Sequence, residues 1–273
     1  MGFFMDNRPI GIFDSGIGGF SAAKVIEEIL PFEDIVYFGD SANVPYGARS
    51  RDEIVSLSLA DAAFLAKFDI KAALIACGTI TSNATPELCA AFPFPFFGVV
   101  NASCAAAADI TKTKKVGVIA TEATIASGVY SAGIKAICGD IEVISKACPS
   151  FAPTVEAGHF LKTDEIAKSV VAQELSCFLG SGIDTLLLGC THYPLLSGAI
   201  SEFLGNSVSL VSSGAAAAVE LSLHIEKTGM STSRKTQGER KWFTSGDIAT
   251  FEKSAADFLG HEICAQKSSA NKD

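Results

Sequence analysis

Short runs of apolar residues alternate along this chain with longer stretches of helical periodicity. The apolar runs occupy residues 10–13, 34–38, 72–76, 96–100, 115–119, 141–144 and 184–188. Apolar residues recur at helical spacing over residues 21–30, 52–67 and 165–179. Continuous apolar runs are typical of strands buried on both faces, and helices between them favour parallel pairing. The sequence therefore predicts an α/β fold built on mostly parallel sheets.

Two pairs of segments within the chain are similar to each other. Residues 73–77 and 186–190 are both apolar runs that end in a cysteine and are followed closely by a threonine. Residues 10–14 are likewise similar to residues 116–120. Either the chain contains two similar halves, each with a cysteine at the carboxyl end of a strand, or strand–turn–helix units simply look alike. The repeat alone does not decide between these two interpretations.

Net charge, the length of the apolar stretches and the first residues argue against several classes of function. The 273 residues carry a formal net charge of −9, and a surface that binds nucleic acid normally needs a basic excess. The longest apolar stretch, residues 88–100, is too short to span a bilayer and is interrupted by Pro93 and Pro95. The first residues lack the pattern of a signal peptide. These features predict a cytoplasmic protein that contacts neither nucleic acid nor membrane.

The eight cysteines do not form a metal or disulfide pattern. No two of them are closer than ten residues, so the chain contains no C-x-x-C motif. Their density is far below that of a disulfide-rich scaffold. We therefore expect a reduced protein without a metal site.

A glycine-rich turn follows the first apolar run, in the segment Phe13-Asp-Ser-Gly-Ile-Gly-Gly19. It is not a dinucleotide fingerprint, because Ser21 stands where the third glycine is needed and Asp14 would repel a pyrophosphate. The glycines simply make a tight turn, or the turn places Asp14 and Ser15 at the carboxyl edge of the sheet, where ligands of such folds bind.

Cys77 and Cys190 each stand between a predicted strand end and a predicted helix start. A helix amino terminus stabilises negative charge, so a thiol there is expected to ionise below the value of about 8.5 for free cysteine. A lone cysteine in an apolar chain is usually a core residue, and that is our interpretation of the other six. Two cysteines in matched positions can instead act as acid and base on opposite faces of one substrate carbon.

Several motifs resemble those of the glutamate racemases, within the cofactor-independent aspartate/glutamate racemase superfamily. The similarity extends from about residue 9 to residue 260. The motifs are Phe13-Asp-Ser-Gly16, Tyr37-Phe-Gly-Asp-Ser41, Val44-Pro-Tyr-Gly47, Ala76-Cys77 with Thr79 and Thr81, Gly117-Val-Ile119, Thr121-Glu-Ala-Thr124, Cys148-Pro149 with Pro153 and Glu156, and Leu188-Gly-Cys-Thr-His-Tyr-Pro-Leu-Leu196.

The resemblance implies two similar, doubly wound α/β domains related by a pseudo-twofold axis, with the active site in the cleft between them. The first domain would comprise residues 1–99 and 212–273, and the second residues 100–211. No cofactor is implied. The substrate would be glutamate, and the protein would form a homodimer.

The resemblance also implies roles for individual residues. Cys77 would remove the α-proton of D-glutamate, assisted by Asp14. Cys190 would act on L-glutamate, assisted by His192 and Glu156. The implied substrate contacts are Asp14, Ser15, Tyr46, Gly47, Gly78, Thr79, Thr81, Thr191 and His192. Helix amino termini and hydroxyl groups can hold a dianionic amino acid without an arginine.

This chain departs from the family pattern at a few positions. Gly78 replaces the asparagine that usually follows the first cysteine, Asn101-Ala-Ser103 stands where Glu-Pro-Gly is common, and Ser212 replaces a common aspartate. If the missing amide costs a hydrogen bond, Gly78→Asn should tighten glutamate binding by about 0.5–1.5 kcal/mol, unless neighbouring side chains fill the space. Pro86 is expected to delay or kink the helix after Cys77.

The implied function is the interconversion of L- and D-glutamate, which supplies D-glutamate for peptidoglycan and cell wall biogenesis. Two alternatives stay open. The chain could be an aspartate racemase of the same superfamily, or a protein that keeps the fold and acts mainly by binding a partner such as DNA gyrase.

Overall fold

Within residues 5–268, ten parallel strands form two separate sheets. The computed structural model describes residues 5–268, so the prediction about a signal peptide falls partly outside the described residues. The strands are β1 (Ile10–Asp14), β2 (Ile35–Gly39), β3 (Ala72–Ile75), β4 (Phe96–Gly98), β5 (Lys115–Ala120), β6 (Glu142–Ala147), β7 (Thr185–Leu188), β8 (Ser209–Ser212), β9 (Arg240–Thr244) and β10 (Ala265–Lys267). The six-stranded sheet has the order β10-β9-β2-β1-β3-β4, and the four-stranded sheet has the order β6-β5-β7-β8.

Helices cover both faces of each sheet. They are α1 (Phe20–Ile29), α2 (Arg51–Ala66), α3 (Gly78–Ala91), α4 (Val99–Ile110), α5 (Glu122–Ala126), α6 (Val129–Ile137), α7 (Phe151–Glu156), α8 (Glu165–Leu175), α9 (Ser197–Leu204), α10 (Ser213–Thr228) and α11 (Ile248–Leu259), with 3₁₀ helices at Tyr46–Ala48, Ser176–Phe178 and Tyr193–Leu196. On the larger sheet, Ile10 and Ile12 of β1 face α1, α10 and α11, while Phe13 faces α2 and α3. This two-sided burial explains why the strands are apolar without alternation.

The prediction of an α/β fold with parallel sheets is confirmed. The larger sheet takes its strands from residues 10–98 and 240–267, and the smaller sheet takes its strands from residues 115–212. The chain thus leaves the first sheet and later returns to it. The exact domain boundaries at residues 99/100 and 211/212 stay predictions. Within the described residues, no helix is both long and apolar enough to cross a membrane.

One local prediction was wrong, and two were wrong in part. Val99 and Val100 were expected to end a strand, but β4 stops at Gly98 and α4 starts at Val99. As an edge strand, β4 pairs only with the short β3, so no ladder continues past Gly98. The helix after Cys77 does not start late, because α3 begins at Gly78 and contains Pro86. A kink at Pro86 stays a prediction. Of the six cysteines interpreted as core residues, Cys104 and Cys148 are buried, but Cys89, Cys177 and Cys264 are exposed and Cys138 is partly exposed, because their elements turn these side chains towards solvent.

Candidate active site

One cavity lies where the carboxyl ends of strands from the two sheets meet. Its volume is about 70 Å³, so it is a small space. The residues that line it are Ser15, Val44, Pro45, Tyr46, Gly47, Cys77, Gly78, Thr79, Thr121, Thr124, Ala152, Glu156, Gly189, Cys190, Thr191 and His192. Both matched cysteines are therefore in the wall of the same cavity, one from each sheet.

Cys77 occupies the junction between β3 and α3, as the sequence predicted, and is the residue that caps the helix amino terminus. The residue is 6% exposed, and the hydroxyl oxygen of Ser15 lies 3.4 Å from its sulfur. Burial, followed by the negative charge of Asp14, raises the pKa of Cys77 to about 12. The expectation of a lowered pKa was therefore wrong for Cys77, because loss of hydration outweighs the helix terminus.

Asp14 ends β1 and lies beside Cys77 but outside the cavity wall. It is 1% exposed, and its Oδ2 accepts a hydrogen bond of 2.8 Å from the Gly19 backbone N–H. Its Oδ1 has no hydrogen-bond partner among the described residues. Burial raises the pKa of Asp14, although the charge of His192 and backbone N–H groups oppose that rise. This position suits an acid/base helper to the thiol better than a direct substrate contact.

Cys190 lies at the corresponding place in the smaller sheet, two residues after β7. The element that follows is a four-residue 3₁₀ helix beginning at Tyr193, so the helix dipole near this thiol is weaker than the predicted helix start suggested. The side chain of His192 supplies positive charge near this thiol instead. The Nδ1 of His192 lies 3.7 Å from the Cys190 sulfur.

His192 links Cys190 to Glu156 of α7. Its Nε2 lies 3.2 Å from Glu156 Oε1, close enough for an ion pair but not aligned for a hydrogen bond. Burial acts to lower the pKa of His192, but the contacts with Cys190 and Glu156 outweigh it and raise the pKa to about 10. At neutral pH His192 is therefore an imidazolium, the single cationic side chain in the cavity wall formed by the described residues.

Most of the remaining predicted contact residues line this cavity: Ser15, Tyr46, Gly47, Gly78, Thr79 and Thr191. Thr81 does not. It lies one turn into α3, where its hydroxyl donates 2.9 Å to the Cys77 carbonyl and accepts from the Val99 N–H at 3.4 Å. This geometry gives Thr81 a structural role at the start of α3 and α4, so its predicted substrate contact has no support here.

Two threonines of the wall were not assigned from the sequence. Thr121 directly follows β5, and its hydroxyl donates 3.0 Å to the hydroxyl of Thr124 on α5. The hydroxyls of Thr121 and Thr79 are 3.5 Å apart, which connects the two sides of the cavity. A signal was available, because Thr121 stands at the carboxyl end of a strand in a parallel sheet, where ligands bind.

Gly78 is in close contact with the opposite side of the cavity. A Cβ atom at this position would lie 2.6 Å from the Gly189 carbonyl oxygen. That oxygen belongs to backbone, which cannot swing away as a flexible side chain can. This geometry argues against the expectation that Gly78→Asn tightens substrate binding, which stays a prediction. The obstacle is the facing main chain rather than a neighbouring side chain.

The cavity offers an anion neutral donors and a single positive charge. The hydroxyls of Ser15, Thr79, Thr121 and Thr191 line it, and α3 begins at its wall. Unpaired N–H groups at a helix start bind carboxylates. The described residues contain no group of three or more His, Cys, Asp or Glu side chains placed to hold a metal ion.

The chain is similar in sequence and structure to known racemases. Residues 20–221 match the family described as Asp/Glu/hydantoin racemase. The chain is 39% identical over 258 residues to a glutamate racemase of Enterococcus faecalis, covering 94% of each chain. The crystal structure of a glutamate racemase isoform from Bacillus anthracis superposes with a TM-score of 0.92, at 36% identity over 97% of this chain and 98% of that one.

A second solved structure is also similar. The glutamate racemase from Francisella tularensis in complex with D-glutamate superposes with a TM-score of 0.88, at 36% identity over 98% of this chain and 99% of that one. These similarities extend over nearly the whole chain and include both strands that carry the cavity cysteines. The chain belongs to the Asp/Glu/hydantoin racemase family.

Proposed function

We propose that this protein interconverts L- and D-glutamate without a cofactor, using Cys77 and Cys190 as its two acid/base groups. The observation that carries the proposal is the position of the two thiols. They follow corresponding strands of two sheets and border one cavity from opposite sides. Inversion at carbon needs this arrangement, because a single group that holds a single proton returns it to the face from which it came.

In the L-to-D direction, Cys190 removes the α-proton and Cys77 delivers a proton to the other face. The raised pKa of Cys77 keeps that thiol protonated at neutral pH and ready to donate. The His192 imidazolium, 3.7 Å from the Cys190 sulfur, stabilises negative charge on that side of the cavity. Glu156 holds His192 in its charged form from the outer side.

In the D-to-L direction the thiols exchange duties. Cys77 then acts as the base, and its proton must leave first. Asp14 is the buried acid/base group beside it, and one oxygen of that carboxyl is free of hydrogen bonds within the described residues. We infer that the carboxylate of Asp14 takes up the Cys77 proton and that Cys190 begins this direction as a protonated thiol, with His192 and Glu156 assisting Cys190.

The substrate carboxylates are held by hydroxyls and backbone N–H groups. Ser15, Thr79 and Thr191 line the cavity with Tyr46 and Gly47, and no lysine or arginine joins them in the described wall. At about 70 Å³ the cavity is small for an amino acid, so we infer that the two sides separate to admit substrate.

The experiment is a racemisation assay with purified protein and no added cofactor, followed by circular dichroism. L-glutamate, D-glutamate and L-aspartate are tested separately. We expect the signal of either glutamate isomer to decay to zero, while L-aspartate keeps its signal. Decay with aspartate and none with glutamate contradicts the proposed substrate, and no decay with any of them contradicts the proposed reaction.

We further propose that D-glutamate from this reaction enters peptidoglycan synthesis. This role follows the family, and its test is whether depletion of the protein in its host is rescued by D-glutamate. The homodimer and the cytoplasmic location also stay predictions.

A further inference from the structure

A buried hydroxyl behind the cavity wall lies between two carboxyl groups. The Oη of Tyr46 is 2.6 Å from Asp40 Oδ2 and 3.1 Å from Asp61 Oδ2. All three residues are at most 2% exposed. A phenol carries one hydrogen and can donate to only one of these acceptors. The other contact needs a proton from the carboxyl side.

The shorter contact identifies Asp40 as the acceptor of the tyrosine proton. Asp40 also accepts hydrogen bonds from Asn43 Nδ2 and from the Ser245 hydroxyl, the latter at 2.6 Å. Three donors therefore surround this carboxyl group, and both of its oxygens act as acceptors. Asp40 is the acceptor of the pair.

Asp61 has no comparable support. It lies on α2, and Tyr46 is its hydrogen-bond partner, while its Oδ1 has none within residues 5–268. Neither carboxyl group forms an ion pair with a lysine, arginine or histidine of the described chain. A second ionised carboxylate at this dry site would repel Asp40 across a single hydroxyl group.

We propose that Asp61 is a neutral carboxylic acid in the folded protein, that its O–H donates to Tyr46 Oη, and that it positions the cavity wall through Tyr46. The proton chain then runs from Asp61 to Tyr46 and from Tyr46 to Asp40. Each hydrogen bond has one donor and one acceptor, which accounts for both distances.

The hydrogen bonds from Asp61 to Tyr46 and from Tyr46 to Asp40 fix a loop that borders the cavity. Val44, Pro45, Tyr46 and Gly47 all line it, and the guanidinium of Arg49 closes the loop by donating to the Asn43 carbonyl. With its hydroxyl held on both sides, Tyr46 cannot rotate without breaking two hydrogen bonds. Asp61 is therefore a positioning residue. The effect of this positioning on substrate binding depends on the proposed function, whereas the protonation of Asp61 does not.

The first test measures the proton that Asp61 takes up on folding. Burial, and then the charge of Asp40, raise the pKa of Asp61, with Asp14 adding to the rise and the Tyr46 contact opposing it. In the unfolded chain an aspartate ionises near pH 3.9. The unfolding constant of the wild type should therefore rise tenfold per pH unit, relative to Asp61→Asn, between pH 5 and pH 7. Asp257→Asn, which removes an exposed carboxylate on α11, is the control and should show no such slope.

Infrared difference spectroscopy at neutral pH gives an independent readout. We expect a carbonyl band of a protonated carboxylic acid in the wild type that is absent from Asp61→Asn and retained in Asp257→Asn. The proposal is overturned if the ratio of the unfolding constants of wild type and Asp61→Asn does not change with pH and Asp61→Asn keeps this carbonyl band.

The second test separates positioning from general stability. Asp61→Leu removes the donor, and we expect the KM for glutamate to rise about tenfold with a smaller change in kcat, since one hydrogen bond that orients the wall is lost. Asp61→Asn, whose amide N–H can donate to Tyr46, should bring the KM most of the way back to the wild-type value.

An unchanged KM in folded Asp61→Leu overturns the positioning role. If Asp61→Leu does not fold, the KM of Asp61→Asn is compared with that of Tyr46→Phe, and an equal KM in both overturns it. A wild type without racemase activity would refute the proposed function, while the proton measurement would still decide the state of Asp61.

Discussion

Replacing Gly78 by alanine is expected to reduce activity without reducing stability. The added Cβ would lie 2.6 Å from the Gly189 carbonyl oxygen, whereas ordinary contact begins at 3.4 Å. The two sides of the cavity must therefore separate by about 0.8 Å, the difference between these distances. Gly78 and Gly189 are sequence neighbours of Cys77 and Cys190, so the separation moves the thiols apart by a similar amount.

The effect on rate follows from the geometry of proton transfer. A misplacement of about 1 Å costs on the order of 10²-fold in rate. We therefore expect kcat/KM of Gly78→Ala to fall by about 10–100-fold in both directions, and Gly78→Asn to fall at least as far. Alanine favours a helix over glycine by roughly 0.5–1 kcal/mol, which offsets the cost of the new contact, so the free energy of unfolding should not fall below that of the wild type.

The assay is circular dichroism of L- and D-glutamate at several concentrations, with urea unfolding of the same preparations. Gly139→Ala is the matched control, because a Cβ there meets its nearest atom, the Lys135 carbonyl oxygen, at 3.8 Å. A Gly78→Ala protein with kcat/KM within twofold of the wild type would show that the contact does not set the distance between the thiols. The reasoning would then be refuted.

Three further predictions concern the site and its support. Dialysis against a chelator should leave racemisation unchanged, because the proposed acid and base are thiols; loss of activity that zinc restores contradicts this. His192 has a folded pKa of about 10 against 6.5 in the unfolded chain, so its stabilising contribution is complete below pH 6.5 and disappears as the pH rises towards 10. The difference in unfolding free energy between wild type and His192→Gln should therefore shrink from pH 6 to pH 9, and a constant difference speaks against the charged histidine. Lys71→Met should cost about 3–5 kcal/mol in urea unfolding, because it leaves Glu33 buried without the ammonium group that also binds the Asp6 and Met230 carbonyls. The double variant Lys71→Met with Glu33→Gln should recover part of the lost unfolding free energy. Equal losses in the single and the double variant would exclude an unpaired Glu33 as the cause.

The parallel sheets and both cavity cysteines were predictable from the sequence, because they depend on local patterns. Buried parallel strands are continuous apolar runs, and their carboxyl ends were the expected position of Cys77 and Cys190. Val99 was misassigned because the end of β4 depends on how far its neighbour β3 extends, which is not local information.

Other features of the site depend on the distance between the two sheets. The contact of Gly78 with the Gly189 carbonyl joins positions more than 100 residues apart, and the raised pKa of Cys77 arises from its burial and from the charge of Asp14 on a separate strand. The neutral Asp61 depends in the same way on a hydroxyl from a separate loop. The sequence shows which residues are present, but dehydration of a charge follows only from the packed structure.

The central claim is that two thiols act on opposite faces of one carbon, and racemisation in heavy water by Cys77→Ser and Cys190→Ser tests it directly. Each variant is incubated with L- and with D-glutamate, and α-deuterium and product handedness are followed together. Cys89→Ser, on the exposed side of α3, is the control. We expect the wild type and the control to form deuterated product of opposite hand, and each of the two test variants to lose racemisation by about 10²–10⁴-fold, since serine keeps the shape but not the acidity. Wild-type rates in both test variants, or in either one, would contradict the two-thiol mechanism.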